Sequence, residues 1–181
     1  VGTYGWGLKV FDDNNRVIAE LNPDTGFPDG TVNSLFEDSQ GGVWIATRAG
    51  LGYVPDTRYP ERYSFYGYDH GLEDVFIRAV QEDVNGEIWI STNNGISHWD
   101  KKEQKFDNYD YRDGIPMGNF IEGSACRGVD GTLYFGSLKG ICHFNPQELD
   151  TSYRVTPVQI MECRAMDGRT GKGDRLILPE E

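Results

Sequence analysis

The sequence predicts an all-β fold, a β-propeller assembled from four-stranded antiparallel blades with a repeat of about 45 residues. Three observations predict it. The 181 residues include 23 Gly, 8 Pro and 13% aromatic side chains, a composition suited to many short strands and turns. No stretch shows sustained i, i+3, i+4, i+7 apolar spacing, so helices are not expected. Most specific is a repeat: "GGVWIATRAGL" (41–51) returns 45 residues on as "GEIWISTNNGI" (86–96) and again as "GTLYFGSLKGI" (131–141), without gaps.

Within the repeat Gly41, Gly86 and Gly131 align, as do Trp44, Trp89 and Tyr134, then Thr47, Thr92 and Ser137. Gly50, Gly95 and Gly140 follow, then Leu51, Ile96 and Ile141. A partial copy, "GTYGWGLKVFD" (2–12), opens the chain with a Thr-to-Gly loop one residue longer. Each unit reads as four strands. In the second unit these are "IRAVQED" (77–83), "EIWIST" (87–92), "ISHWD" (96–100) and a more polar strand near "KFDNYD" (105–110). Asn85-Gly86 suits the first hairpin, because glycine accepts positive φ. The second strand is apolar on both faces, Val43 and Ile45 against Trp44 and Ala46, as expected of a blade covered on both sides. The expected division is a partial blade (1–25), blades at 26–66 and 67–111, and a last blade at 112–152, an incomplete ring. The chain starts inside a strand-like stretch and stops at "RLILPEE", and both ends read as cuts through a longer protein.

A formal charge of −12 would repel a phosphate backbone, so nucleic acid is not an expected partner. Cys126, Cys142 and Cys163 form no C-x-x-C pair; Cys126 and Cys142 could pair with each other, and are expected rather as two buried free thiols. No signal peptide or apolar run of spanning length is present in the sequence.

No catalytic residue, metal ligand or cofactor is expected. His98 and His143 share one repeat position, which makes them structural, and His70 in "YDHGLED" lies in a polar loop with Asp69, Glu73 and Asp74. Asp38, Asp83 and Asp130 are expected to bond their own hairpin backbones; "DVNGE" (83–87) lacks the later bidentate Glu of a calcium loop. The Trp44, Trp89 and Tyr134 column is expected as core between blades.

"LFEDSQGGVWIATRAGLGYVPDT" resembles the two-component-regulator propeller repeat, with Glu37-Asp38, Gly41, Trp44, Thr47 and Gly50-Leu51 on its motif and Gly42 read as an extra turn residue. Glu82-Asp83, Gly86, Trp89, Thr92 and Gly95 match in the second unit. The third departs, with Arg127-Gly128 for Glu-Asp and Tyr134 for Trp. Residues 118–146 resemble the variant last blade of such propellers. "TPVQIMECRAMDGR" (156–169) resembles the first strand of the Ig-like domain that follows them, placing the start of that domain at 153–181. The resemblance implies the periplasmic sensor half of a membrane-bound histidine kinase or diguanylate cyclase, with the membrane segment and output module elsewhere. Hybrid kinases of this family in gut Bacteroidetes sense glycan fragments.

A ligand site is expected on the face that carries the connections between blades and the loops joining second to third strands, because the repeat constrains the opposite hairpins tightly. The varied positions there are Arg48, Asn93, Asn94 and Lys139 at loop tips, with Asp29, Glu73, Arg78 and Asn119 near the starts of the inner strands. Tyr66, Tyr68 and Phe76 lie close by in sequence, a mixture suited to oligosaccharide recognition. Two alternatives stand beside this: a lyase resembling streptogramin lyase with His70 as base, and a propeller that only mediates protein contacts. Exposed terminal blades imply self-association or pairing with missing blades.

Overall fold

The computed structural model describes residues 1–115 and 119–149, and the backbone of two short strands beyond them. All the sheets are antiparallel, with strands in chain order. Strands β1 (Leu8–Phe11) and β2 (Val17–Leu21) form a two-stranded sheet. The first four-stranded blade comprises β3 (Val32–Glu37), β4 (Val43–Thr47), β5 (Leu51–Val54) and β6 (Ser64–Tyr66). The second comprises β7 (Ala79–Glu82), β8 (Ile88–Ser91), β9 (Ile96–Asp100) and β10 (Lys105–Tyr109). β11 (Phe120–Arg127), β12 (Leu133–Ser137) and β13 (Gly140–Phe144) make the third sheet.

Among the described residues the third sheet has three strands, and the end of the expected last blade, 150–152, lies outside them. After β13, Asn145 caps a short 3-10 turn, Pro146–Glu148, where the other blades run on toward a fourth strand. Pro146 has a fixed φ and no N–H to give a ladder. The chain divides after Leu149. Beyond it β14 (Cys163–Met166) pairs with β15 (Gly173–Leu176). The rest of the expected Ig-like segment lies outside the described residues.

The core lies between sheets. Because side chains alternate along a strand, β4 sends Ile45 to one side and Trp44 and Ala46 to the other. Ile45 and Val54 pack with Leu8 and Leu21 of the two-stranded sheet and with Phe27. Trp44, Ala46 and Leu51 meet Val80, Ile88, Ile90, Trp99 and Phe106 of the second blade. That blade's other face gives Ala79, Trp89 and Ile96 to a cluster with Phe120, Leu133, Phe135 and Cys142. Cys142 is buried, and desolvation raises its thiol pKa. Cys126 is free but exposed, contrary to expectation, because β11 turns it to the uncovered side of the sheet.

Asp38 and Asp83 organise their hairpins in the same way. Asp38 Oδ1 accepts from the N–H groups of Gln40 and Gly42 at 3.0 and 2.9 Å, and its Oδ2 accepts from Trp44 Nε1 at 2.9 Å. Asp83 Oδ1 accepts from Asn85 and Glu87, and its Oδ2 from Trp89 Nε1 at 3.3 Å. Gly42 therefore occupies the place of Glu87 and adds no residue to the turn, as the Asp38 N to Gly42 O and Asp83 N to Glu87 O bonds require. Gly42 is needed for another reason: a Cβ there would stand 2.4 Å from the Tyr53 hydroxyl. In the third sheet Gly128 replaces the aspartate and Tyr134 the tryptophan, so no indole N–H is left needing an acceptor. Asp130 takes over, its Oδ1 accepting from Thr132 N at 3.1 Å, 2.6 Å from where a Gly128 Cβ would lie.

Sheets are joined by a second recurring device that the repeat reading did not isolate. Pro23–Thr25, Tyr68–His70 and Tyr111–Asp113 are 3-10 turns, each closed by a glycine at φ near +90°: Gly26, Gly71 and Gly114. The next residue is apolar in each case (Phe27, Leu72, Ile115) and packs into the inter-sheet core.

Candidate functional site

The loop between second and third strands is built by one hydroxyl. Thr47 Oγ1 donates to Gly50 O at 2.7 Å and accepts from Ala49 N and Gly50 N. Thr92 and Ser137 make the same bond to Gly95 O and Gly140 O, and Thr3 makes it to Gly7 O across its longer loop. Gly50 is obligatory here: its φ is +150° and a Cβ would meet Tyr66 O at 2.3 Å. The backbone is thus fixed while the tip residues remain free to vary.

Three of the seven expected site residues come together. Arg48 lies with its guanidinium carbon 4.5 Å from the Tyr4 ring centroid and 5.4 Å from that of Phe76. On Phe76 also rests Arg78, at 4.2 Å. Arg78 Nε and Nη2 both donate to Asn93 Oδ1, at 3.0 and 2.8 Å, and its Nη1 donates to Glu122 Oε1 at 2.7 Å. Arg48 Nη2 bonds the Tyr4 hydroxyl, whereas Arg48 Nε is buried without a hydrogen-bond partner. Asp29 is a scaffold residue, its carboxylate accepting from Thr31 N and Arg48 N.

Glu73 and Asn94 belong elsewhere, lining an open groove of about 280 Å³ with Asp74, Asn108, Asp110 and Tyr111. Arg112 bonds to the Asp110 carboxylate and holds its pKa below the usual range, so Asp110 stays ionised in an ion pair with that guanidinium. Asn119 and Lys139 are at the third sheet: Asn119 O accepts from Leu138 N, and Lys139 N donates to Ser137 Oγ. Both side chains are exposed. The expected cluster therefore resolves into a cationic stack, an acidic groove and an isolated pair.

Of the three aromatics expected nearby, only Phe76 joins the stack. Tyr66 packs against Trp99 and Trp44 in the core, and Tyr68 is exposed on its connector. Tyr4 and Glu122 were not anticipated. Tyr4 sits in the one loop of unusual length, a usable signal; Glu122 reaches Arg78 across 44 residues and carries none.

The histidines have structural positions. His70 Nδ1 accepts from Gly67 N at 3.4 Å, the closure that Thr25 and Asp113 give the other connectors. His98 lies against Trp89, and His143 stacks on Tyr134. No cluster of metal-ligating side chains occurs among the described residues.

Residues 26–49 and 71–94 match the two-component regulator propeller repeat. The chain carries this family's repeats. The extracellular domain of the hybrid two-component system BT3049 from B. thetaiotaomicron is 34% identical over 98% of the chain, with a TM-score of 0.85. The chain spans 24% of that domain. The extracellular domain of the hybrid two-component system BT4673 from the same organism gives 15% identity over 96% of the chain, 20% of that domain and a TM-score of 0.55. Virginiamycin B lyase from Staphylococcus aureus gives 18% identity over 94% of the chain and 62% of the enzyme, with a TM-score of 0.51. The last two share the fold alone. No curated protein matches the chain. The repeat match ends at Asn94, before the three-stranded sheet whose hairpin departs from it.

Proposed function

We propose that the chain is part of an extracytoplasmic, ligand-sensing propeller of a two-component signalling protein, and that it is not itself catalytic. The observation that carries this is the 34% identity to the BT3049 extracellular domain across nearly the whole chain. Among the described residues no helix is long and apolar enough to cross a membrane. The proposed compartment is the periplasm. The ligand is proposed to be an oligosaccharide fragment, bound on the loop-tip face by Arg48, Arg78, Asn93, Asn94 and Glu73, with Asn119 and Lys139 at its margin. Planar aromatic and guanidinium faces beside amide and carboxylate groups suit the stacking and hydrogen bonding that a sugar ring requires. His70 as a connector cap supports a non-catalytic reading.

Calorimetric titration with a panel of oligosaccharides tests the role. Saturable binding that is lost in Arg78→Ala is expected. A protein that binds none of the panel, or turns one over in a reaction abolished by His70→Ala, contradicts it.

The remaining blades of a ring, or a second copy, are proposed to cover the outer face of the third sheet. Ile141 is 68% exposed there, while Leu51 and Ile96 at the same repeat position are buried. Light scattering of the chain alone is expected to show self-association that Ile141→Glu suppresses; a monomer at every concentration contradicts this.

A further inference from the structure

We infer that the Tyr4–Arg48–Phe76–Arg78 stack is an anion subsite, and that the ligand presents an acidic group, a carboxylate or a sulfate, to Arg48. This rests on the oligosaccharide reading above for the rest of the ligand, and on the stack alone for the charge.

The two arginines share the Phe76 ring but differ in compensation. Arg78 is neutralised by Glu122 at 2.7 Å and fixed by two bonds to Asn93. The Arg48 guanidinium pairs with no carboxylate among the described residues, the Asp29 carboxylate being bonded to the Arg48 and Thr31 backbone N–H groups instead, although acidic residues outnumber basic ones by 29 to 17 in the sequence. Its one side-chain bond is to the Tyr4 hydroxyl, a neutral group. Nε is buried and unpartnered, and Nη1 makes no hydrogen bond to any described residue. A guanidinium held close to two rings has already lost much of its rotamer freedom, so the ordering cost falls before the ligand arrives. Nη1 is the donor left free, and a charge-assisted bond from it suits a carboxylate or sulfate.

The surroundings give direction as well. The acidic groove with Glu73, Asp74 and Asp110 begins at Asn94, the residue after the Asn93 that holds Arg78. A ligand with an acidic end and a neutral, hydroxyl-rich body is accepted by the stack at that end. With Asp110 paired to Arg112, the Glu73 and Asp74 carboxylates are left to repel a second acidic group and accept hydrogen bonds from hydroxyls. The predicted ligand therefore carries its charge at one end.

The test is calorimetric titration of the intact chain with a chondroitin tetrasaccharide and an oligogalacturonate as acidic sugars. A galacto-oligosaccharide of equal length serves as the neutral sugar, and sodium sulfate and glutarate as anions without sugar. The expected result is acidic-sugar binding at least about tenfold tighter than neutral, weakened about tenfold by Arg48→Gln and partly restored in Arg48→Lys. Folding of each variant is checked by its melting curve. Independently of any variant, wild-type affinity is expected to fall with added salt. Equal affinity for acidic and neutral sugars, or an acidic preference untouched by Arg48→Gln, overturns the anion subsite and leaves the oligosaccharide reading standing. Binding of sulfate or glutarate alone, lost in Arg48→Gln, upholds the subsite and overturns the sugar. Binding of none of the probes overturns both.

Discussion

The second four-stranded blade and the three-stranded sheet after it share one repeat and have opposite surroundings. Ile96 and Ile141 begin equivalent stretches of third strand, yet Ile96 is 1% exposed and Ile141 68%. Trp89 keeps an aspartate acceptor in Asp83, whereas Tyr134 has Gly128 in that place and presents no indole N–H to it. The difference teaches that a blade does not bury itself. Its apolar faces are covered by neighbouring sheets, and its hairpin chemistry follows the residue that the aspartate serves.

The largest effect expected of this comparison is on stability. Ile96→Ala is predicted to destabilise the chain by about 2–5 kcal/mol, since it empties a site packed against Phe120 and Leu133. Ile141→Ala should stay within about 0.5 kcal/mol. Urea denaturation of both variants checks the pair, and equal losses would break the comparison. Next comes the hairpin. Asp83→Ala strands the N–H of Trp89 and two backbone groups, at about 1–3 kcal/mol. Asp130→Ala, on an exposed turn with its bonds confined to Thr132, is predicted to cost less than half as much in the same assay.

A smaller effect depends on pH. In the first blade Tyr53 stacks on Trp44, and burial, reinforced by the Asp38 carboxylate, pushes its phenol up to about 12. The folded state thus keeps a proton that the unfolded chain, with a phenol near 10, releases. Stability supplied by this group is complete below pH 10 and is lost as pH rises from there through about 12. Tyr53→Phe should flatten that decline and remove a phenol titrating at about 12 from the ultraviolet absorbance curve. The smallest effect belongs to Arg58, which forms an exposed pair with Asp56 at 2.8 Å and holds that carboxyl down at about 2. Arg58→Ala should leave the melting temperature unchanged while raising the Asp56 pKa toward its ordinary value in a carbon-detected NMR titration.

Much of the fold was legible because the inter-sheet packing requires the same residues at the same spacing. Trp44 and Trp89, the loop glycines and the threonines Thr47 and Thr92 are fixed by bonds internal to each unit, so they recur in the sequence. The connectors were harder to see. Asn22, Gly67 and Asp110 cap one end, while Thr25, His70 and Asp113 close the turn, and chemically different side chains satisfy the same backbone. The site was legible only as a face. Arg48 and Asn93 stood out as departures from the repeat, but the Arg78–Glu122 pair spans two sheets and depends on how they meet. Glu73 and Asn94 share that face by their loop positions, but they line the neighbouring groove rather than join the arginines.

The central claim is that repeated positions carry the scaffold while the departures on one face carry recognition. Hydrogen–deuterium exchange of the chain with and without a bound acidic oligosaccharide tests it most directly. New protection is predicted in residues 47–50, 73–78 and 92–95, with the hairpins at 38–42 and 83–87 unchanged. Protection confined to those hairpins would contradict the account.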